Sequence, residues 1–194
     1  MARAVPRKLI VGVVVLTGLA VGSAIDSRMP STSDVLERPF LLHTALGEKA
    51  TMRTAEVRVA EVSSARSVLS GGREFASAGT WVLLDLEILA LHEPVLISGM
   101  ELHSASGHVY GGSGDVPFGC GTAQPGVLQN CRVAMEVAPA DLVGLELRVP
   151  ASGEPGSPGD DLMVVDLGIT PDSPVVTSPA QRTEVVRASF GGAS

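Results

Sequence analysis

Trp81 to Leu91 reads WVLLDLEILAL, and its periodicity decides the fold class. Val82, Leu84, Leu86, Ile88 and Ala90 recur at a spacing of two and are all apolar. Leu83, Asp85, Glu87 and Leu89 make the alternate, mixed face. Strand side chains point to opposite faces in turn, so this stretch reads as a strand with one face in a core. A helix here would also be apolar, but no capping signal precedes it. Gly79-Thr80 leading into a run of β-formers favours a central strand.

The same period of two extends outward. Ala55 to Val62 puts Val57 and Val59 on one face and Glu56 and Arg58 on the other. Ser63 to Thr80 is rich in Ser and Gly and reads as loop, with a short strand around Val68. Pro94 breaks the run, Val95 to His103 resumes it, and Ser104 to Gly107 turns it into His108-Val109-Tyr110. Cys131, Val133, Met135 and Val137 point inward, with Arg132 and Glu136 outward. Val143, Leu145, Leu147 and Val149 repeat the pattern, and Met163, Val165, Leu167 and Ile169 line a last strand. About seven short strands separated by turns, with no convincing helix, predict an all-β, immunoglobulin-like β-sandwich. The 194 residues suffice for one such domain with tails. Aromatics are 3% of the chain against 45% apolar residues, so Val, Leu, Ile and Ala must build the core.

The N-terminus points to a compartment. Residues 1–8 carry Arg3, Arg7 and Lys8, and 9–25 (LIVGVVVLTGLAVGSAI) carry no charge. As a helix this run spans ~25 Å, the short limit for a bilayer core. Two readings stand: an uncleaved transmembrane signal-anchor helix, or a signal peptide cleaved after Ala24. Under both, residues 1–8 are a cytoplasmic basic region and everything from about 26 onward lies outside the cell membrane. Residues 26–44 read as a polar linker, with Phe40 to Gly47 a first short strand or lead-in, 45–170 as the sandwich and 171–194 as a mostly disordered tail. Within that tail Thr183 to Phe190 is a candidate short element. All 21 acidic residues follow residue 25, against 11 of the 14 basic ones, a net of −10. Such a domain repels phosphate backbones, which argues against a nucleic-acid partner.

Three stretches, GTWVLLDLEILA (79–90), MELHSASGHVY (100–110) and QPGVLQNCRVAMEVAPADL (124–142), carry a resemblance. Together they resemble the bacterial immunoglobulin-like extracytoplasmic domains grouped in fold with the mycobacterial immunoprotective extracellular antigen. The likeness runs over roughly residues 45–170. Ala90 stands where that family often has Asn, and Met135 where it often has Phe. The resemblance implies a fold and an extracytoplasmic location, and no reaction.

Cys120 and Cys131, 11 apart, are the two cysteines. With no CxxC and an oxidising setting, they are most simply a disulfide flanking a Pro-Gly turn. It would contribute on the order of 2–3 kcal/mol. Tetrahedral zinc needs four ligands, and the chain holds four histidines, His43, His92, His103 and His108. Copper at Met100, His92, His103 and His108 is the soft-metal alternative, but Met100 and His103 fall on opposite strand faces. Asp85 and Glu87 share a face and read as solvated acids before they read as an acid/base pair. GGSGD (111–115) lacks the lysine and the strand–loop–helix setting of a phosphate loop. Ser104, Ser106 and His103 lack the GxSxG elbow of a hydrolase. Trp81 and Tyr110 read as core or sheet-end anchors. Leu83 and Leu89, on the outer face of the central strand, are candidates for a contact surface, or for the interior if the faces are reversed. The expectation is a non-enzymatic module without cofactor or metal that is anchored at residues 9–25 or secreted. It would meet an unidentified protein of the bacterial cell envelope. A small-ligand or copper carrier is the alternative.

Overall fold

The computed structural model describes residues 38–111, 120–151 and 160–185, together with the backbone of 189–190. The expected N-terminal helix at 9–25 lies outside the described residues, as does most of the GGSGD loop. Among the described residues no helix is long and apolar enough to cross a membrane.

Two sheets face each other across one apolar core. The first has the order β1 (Phe40–Ala45), β11 (Asp161–Asp166), β10 (Glu146–Pro150), β6 (Glu101–His103) and β7 (Val109–Tyr110). The second has the order β12 (Ala180–Glu184), β3 (Ala55–Ser70), β4 (Arg73–Ala90), β9 (Leu128–Val137) and β13 (Ser189–Phe190), with β2 (Lys49–Thr51) also on β3. A small third pair joins β5 (Val95–Leu96) to β8 (Thr122–Ala123). Val82, Leu84, Leu86, Ile88 and Ala90 are all buried, and they pack with Leu102, Leu147, Met163 and Val165 of the facing sheet. The central strand therefore has the core face that its period of two predicts. The fold is an all-β sandwich.

The chain passes between the layers in a fixed order. The β3–β4 hairpin lies in one sheet, β6–β7 in the other, and β9 returns to pair antiparallel with β4. A 3₁₀ turn at Pro139–Asp141 then carries the chain to β10, which pairs antiparallel with both β6 and β11.

Four expectations change. Ser63 to Thr80 is not loop: β3 and β4 run on through it and turn at Gly71-Gly72, both with positive φ (58° and 79°). Two consecutive residues at positive φ make the two-residue hairpin turn whose twist matches the flanking strands. The sandwich begins at Phe40, because β1 pairs in parallel with β11, so that strand is not linker. The 171–194 segment holds a short helix α1 (Pro174–Thr177), then β12, parallel to β3, and β13, antiparallel to β9. Main-chain pairing to sheet edges holds Ala180–Glu184 and Ser189–Phe190 in place. Leu83 is no contact surface. It is 1% exposed in a second cluster with Ala65, Val68, Trp81, Ala134 and Val185 on the far face of the larger sheet. A smaller departure is Val143, which sits exposed in the turn before β10 and not in the core.

Candidate functional site

Polar chemistry concentrates where the β6–β7 hairpin meets the 3₁₀ turn. Asp141 is 8% exposed, and three side chains of the hairpin converge on its carboxyl group. Ser106 Oγ donates to Oδ1 at 2.7 Å, and His108 Nδ1 lies 2.7 Å from Oδ2. The Tyr110 hydroxyl also donates to Oδ2. Ser104 closes the hairpin from within, its Oγ accepting the His108 N–H at 3.0 Å. The hydrogen bonds from Tyr110, Ser106 and His108, in that order of weight, hold the Asp141 carboxyl down at about 2. Asp141 in turn raises the Tyr110 hydroxyl, chiefly through their hydrogen bond.

Serine, histidine and aspartate in contact raise the question of a nucleophilic relay. In such a relay serine and aspartate occupy different imidazole nitrogens. Here Ser106 Oγ (3.1 Å) and Asp141 meet the same Nδ1. A carboxylate only accepts, so Nδ1 carries the proton and cannot take one from Ser106. The Ser106 proton goes to Asp141 instead. Nε2 has no partner among the described residues, and the His108 side chain is 68% exposed. The arrangement ties a hairpin to a corner of the sandwich and does not assemble a nucleophile.

The linkage sign follows from the depressed carboxyl. A group with a lowered folded-state pKa contributes stability above its unfolded value, near 4, and loses it as pH falls through about 2. Thermal stability is therefore expected to fall between about pH 4 and pH 2, and the Asp141→Asn variant to show a flatter profile across that window. Parallel profiles measured by circular dichroism would mean that Asp141 does not carry this dependence.

The other candidates are dispersed. Asp85 is clamped by Arg132 across β4–β9, with Nε and Nη2 each donating at 2.6 Å. Glu87 accepts from Arg58 of β3 at 2.9 Å. The two carboxylates thus sit in a cross-strand ladder of ion pairs and not in a cleft. His43 and His92 are exposed on separate elements, and His103 pairs with Glu101 on its own strand at 3.0 Å. Met100 is buried in the core. Among the described residues no three His, Cys, Asp or Glu side chains could hold a metal ion. Trp81 is buried and donates its indole N–H to the Phe75 carbonyl at 3.0 Å, and Tyr110 packs on the core edge. Both act as anchors.

Cys120 and Cys131 sit at disulfide distance, their Cα atoms 5.2 Å apart, and are bonded. Between them, Gln124 to Val127 form a turn closed by Val127 N–H to the Gln124 carbonyl, and Pro125 bridges to Ala90. Leu96, Val127 and Leu128 are exposed on the elements that surround this loop. A separate cleft of about 440 Å³ opens between β3 and α1, lined by Glu61, Val62, Ser63, Leu167, Ile169 and Val175 among others.

No protein-family model matches the chain, and no curated protein sequence does. Among solved structures it is similar to an uncharacterized β-sandwich protein from Clostridium difficile. The identity is 12% and the TM-score 0.45, over 71% of this chain and 99% of that one.

Asp141 is the residue that sequence reading missed. Its signal was local: an acid in the first turn of a Pro-led corner, Ala138-Pro139-Ala140-Asp141. Its partners lie 31 to 35 residues away, which no local pattern reveals.

Proposed function

We propose that the chain is a non-enzymatic, extracytoplasmic module of the bacterial cell envelope, membrane-anchored or secreted, that works by contact with another protein. One observation carries the non-enzymatic part. Among the described residues the three acids that could serve as catalytic carboxylates are already committed: Asp141 to three hairpin donors, Asp85 to Arg132 and Glu87 to Arg58. What remains is a rigid scaffold with loops and edges for contact.

The immunoglobulin-like reading is supported by the strand order. The antiparallel set β3-β4-β9 and the set β11-β10-β6-β7 follow the Greek-key connectivity of such sandwiches. The location is supported by the basic-then-apolar N-terminus and by a cysteine pair at bonding distance. In-cell crosslinking of the full chain, followed by mass spectrometry, is expected to recover one recurrent envelope protein. Recovery of none, with a C-terminal reporter active only in the cytoplasm, would overturn both contact and location.

A further inference from the structure

We propose that the open edge of β1 pairs with β1 of a second copy of this chain, antiparallel and centred on Leu42. Self-pairing goes beyond contact with another protein and does not depend on it.

The register fixes which main-chain groups are free. The β1–β11 pairing runs unbroken from Phe40 to Ala45. The Phe40 N–H donates to the Asp160 carbonyl at 2.8 Å, and the Leu46 N–H to the Asp166 carbonyl at 3.0 Å. Phe40, Leu42 and Thr44 therefore turn their main chain to β11, and Leu41, His43 and Ala45 turn theirs to the open edge. Ala45 agrees with this count. Its N–H donates to the Glu48 carboxylate at 3.2 Å, and its carbonyl accepts the Glu48 N–H at 3.0 Å. The N–H and C=O of Leu41 and His43 have no partner among the described residues. An antiparallel copy centred on Leu42 sets Leu41 against the second copy's His43, and His43 against the second copy's Leu41. Each such pair exchanges two bonds, so every free group on both edges is satisfied.

The strand's own chemistry favours a copy of itself. Phe40 and Leu41, 60% and 54% exposed, are the two most exposed large apolar side chains among the described residues. Sheet edges are ordinarily blunted by charge, proline, a bulge or shortness. The other edges of the two sheets follow that rule: β12 carries Arg182 and Glu184, β2 is three residues with Lys49, and β7 and β13 are two residues each. By contrast β1 has six residues, FLLHTA, with no charge, proline or bulge. A chain of net charge −7 repels its own copy over most of its surface, and an uncharged strand is where two copies can meet. The same register faces Phe40 with Thr44 and Leu42 with Leu42. It also brings Arg38, before the start of one strand, to the end of the other, where Glu48 lies.

The test is oxidative crosslinking of the full chain in detergent micelles at about 1 mM, where even a millimolar dimer is half formed. The two native cysteines are bonded to each other, so an introduced thiol is the reactive one. Leu42→Cys is expected to give a disulfide-linked dimer, because facing residues at such a site lie about 4.5 Å apart, within disulfide reach. A mixture of Phe40→Cys and Thr44→Cys should link one to the other. Neither should link alone, since its two thiols would lie about 14 Å apart. His43→Pro leaves the β1–β11 bonds in place, as proline with its nitrogen on an open edge allows. Added to Leu42→Cys, it is expected to slow linking about tenfold or more, from two lost hydrogen bonds. No linked dimer from Leu42→Cys or from the mixture overturns the proposal. So does Phe40→Cys or Thr44→Cys linking alone as fast as the mixture, or an unchanged rate in His43→Pro. Slow exchange of the Leu41 and His43 amides at every dilution would mean that the chain's own residues cover the edge, and also overturns it. In cells, a Leu42→Cys adduct whose mass is not twice that of the chain would give the edge to another protein. That result overturns self-pairing and leaves the contact function standing.

Discussion

Gly79→Ala is expected to be among the most damaging single substitutions in this domain. Gly79 lies one residue beyond the Thr80–Val137 pair of β4 and β9. A Cβ there would stand 2.4 Å from the Val137 carbonyl oxygen and 3.2 Å from its carbon. These atoms are main chain in a central strand, so no side chain can swing away. Relief requires β4 and β9 to part at this end. That movement would also break a local tie, in which Ser77 Oγ accepts the Gly79 N–H at 2.7 Å and donates to Glu136 at 2.5 Å. The expected loss is about 2–3 kcal/mol, the upper part of the range for overpacking. That is a drop of roughly 4–12 °C in melting temperature for a chain of this size. Gly72→Ala separates space from conformation. Gly72 has φ +79° and nothing within 4 Å of an added Cβ, so its cost is the left-handed backbone alone, about 1 kcal/mol. Calorimetry on both variants decides: if Gly72→Ala is as damaging as Gly79→Ala, close approach of the strands is not what Gly79 serves.

What was legible in the sequence follows the physics of each segment. The core face of β4 announced itself because five apolar residues at period two have one strand reading. The hairpin before it did not. Ser63, Ser64, Ala76 and Ala78 carry little hydrophobic contrast, so composition pointed to loop. The deciding signal was Gly71-Gly72, which is turn chemistry and not periodicity. β12 was hidden for a further reason. Ala180, Gln181, Arg182 and Glu184 are exposed, so main-chain pairing to β3 carries the strand and leaves no apolar pattern. The period of two left the face of Leu83 open between surface and interior, because the neighbours that decide it, Ala65, Ala134 and Val185, come from three separate strands or strand ends. The Asp141 anchor combines both problems: polar residues without period, joined only by tertiary folding. The disulfide pair stood on counting, because two cysteines and no CxxC leave few uses.

Reduction of the Cys120–Cys131 bond is expected to lower stability by about 3 kcal/mol, from the chain-entropy cost of reopening a loop of this length. The corresponding fall in melting temperature is roughly 6–12 °C. The native side of that estimate is favourable, because the bond joins two positions already in place. Cys131 lies on β9 opposite Leu86 of the central strand, and Cys120 is fully buried. Buried Gln129 donates its side-chain amide to the Cys120 carbonyl, a second tie across the same loop. The folded state should therefore survive reduction with its far-ultraviolet spectrum unchanged, and melt earlier. Cys120→Ala/Cys131→Ala should match the reduced protein, whereas paired serines should fall lower, because two hydroxyls would then be buried without assigned partners. Hydrogen exchange gives the sharper readout. The loop carries β8, which is held to β5 by two residue pairs and to Ala90 through Pro125. With the covalent tie gone, amides from Gly121 to Gln129 should exchange faster, while those of Leu84 and Leu86 in β4 keep the protection of the core. Coincident melts with and without dithiothreitol, or two thiols that react freely before reductant is added, would show that the bond does not hold this loop.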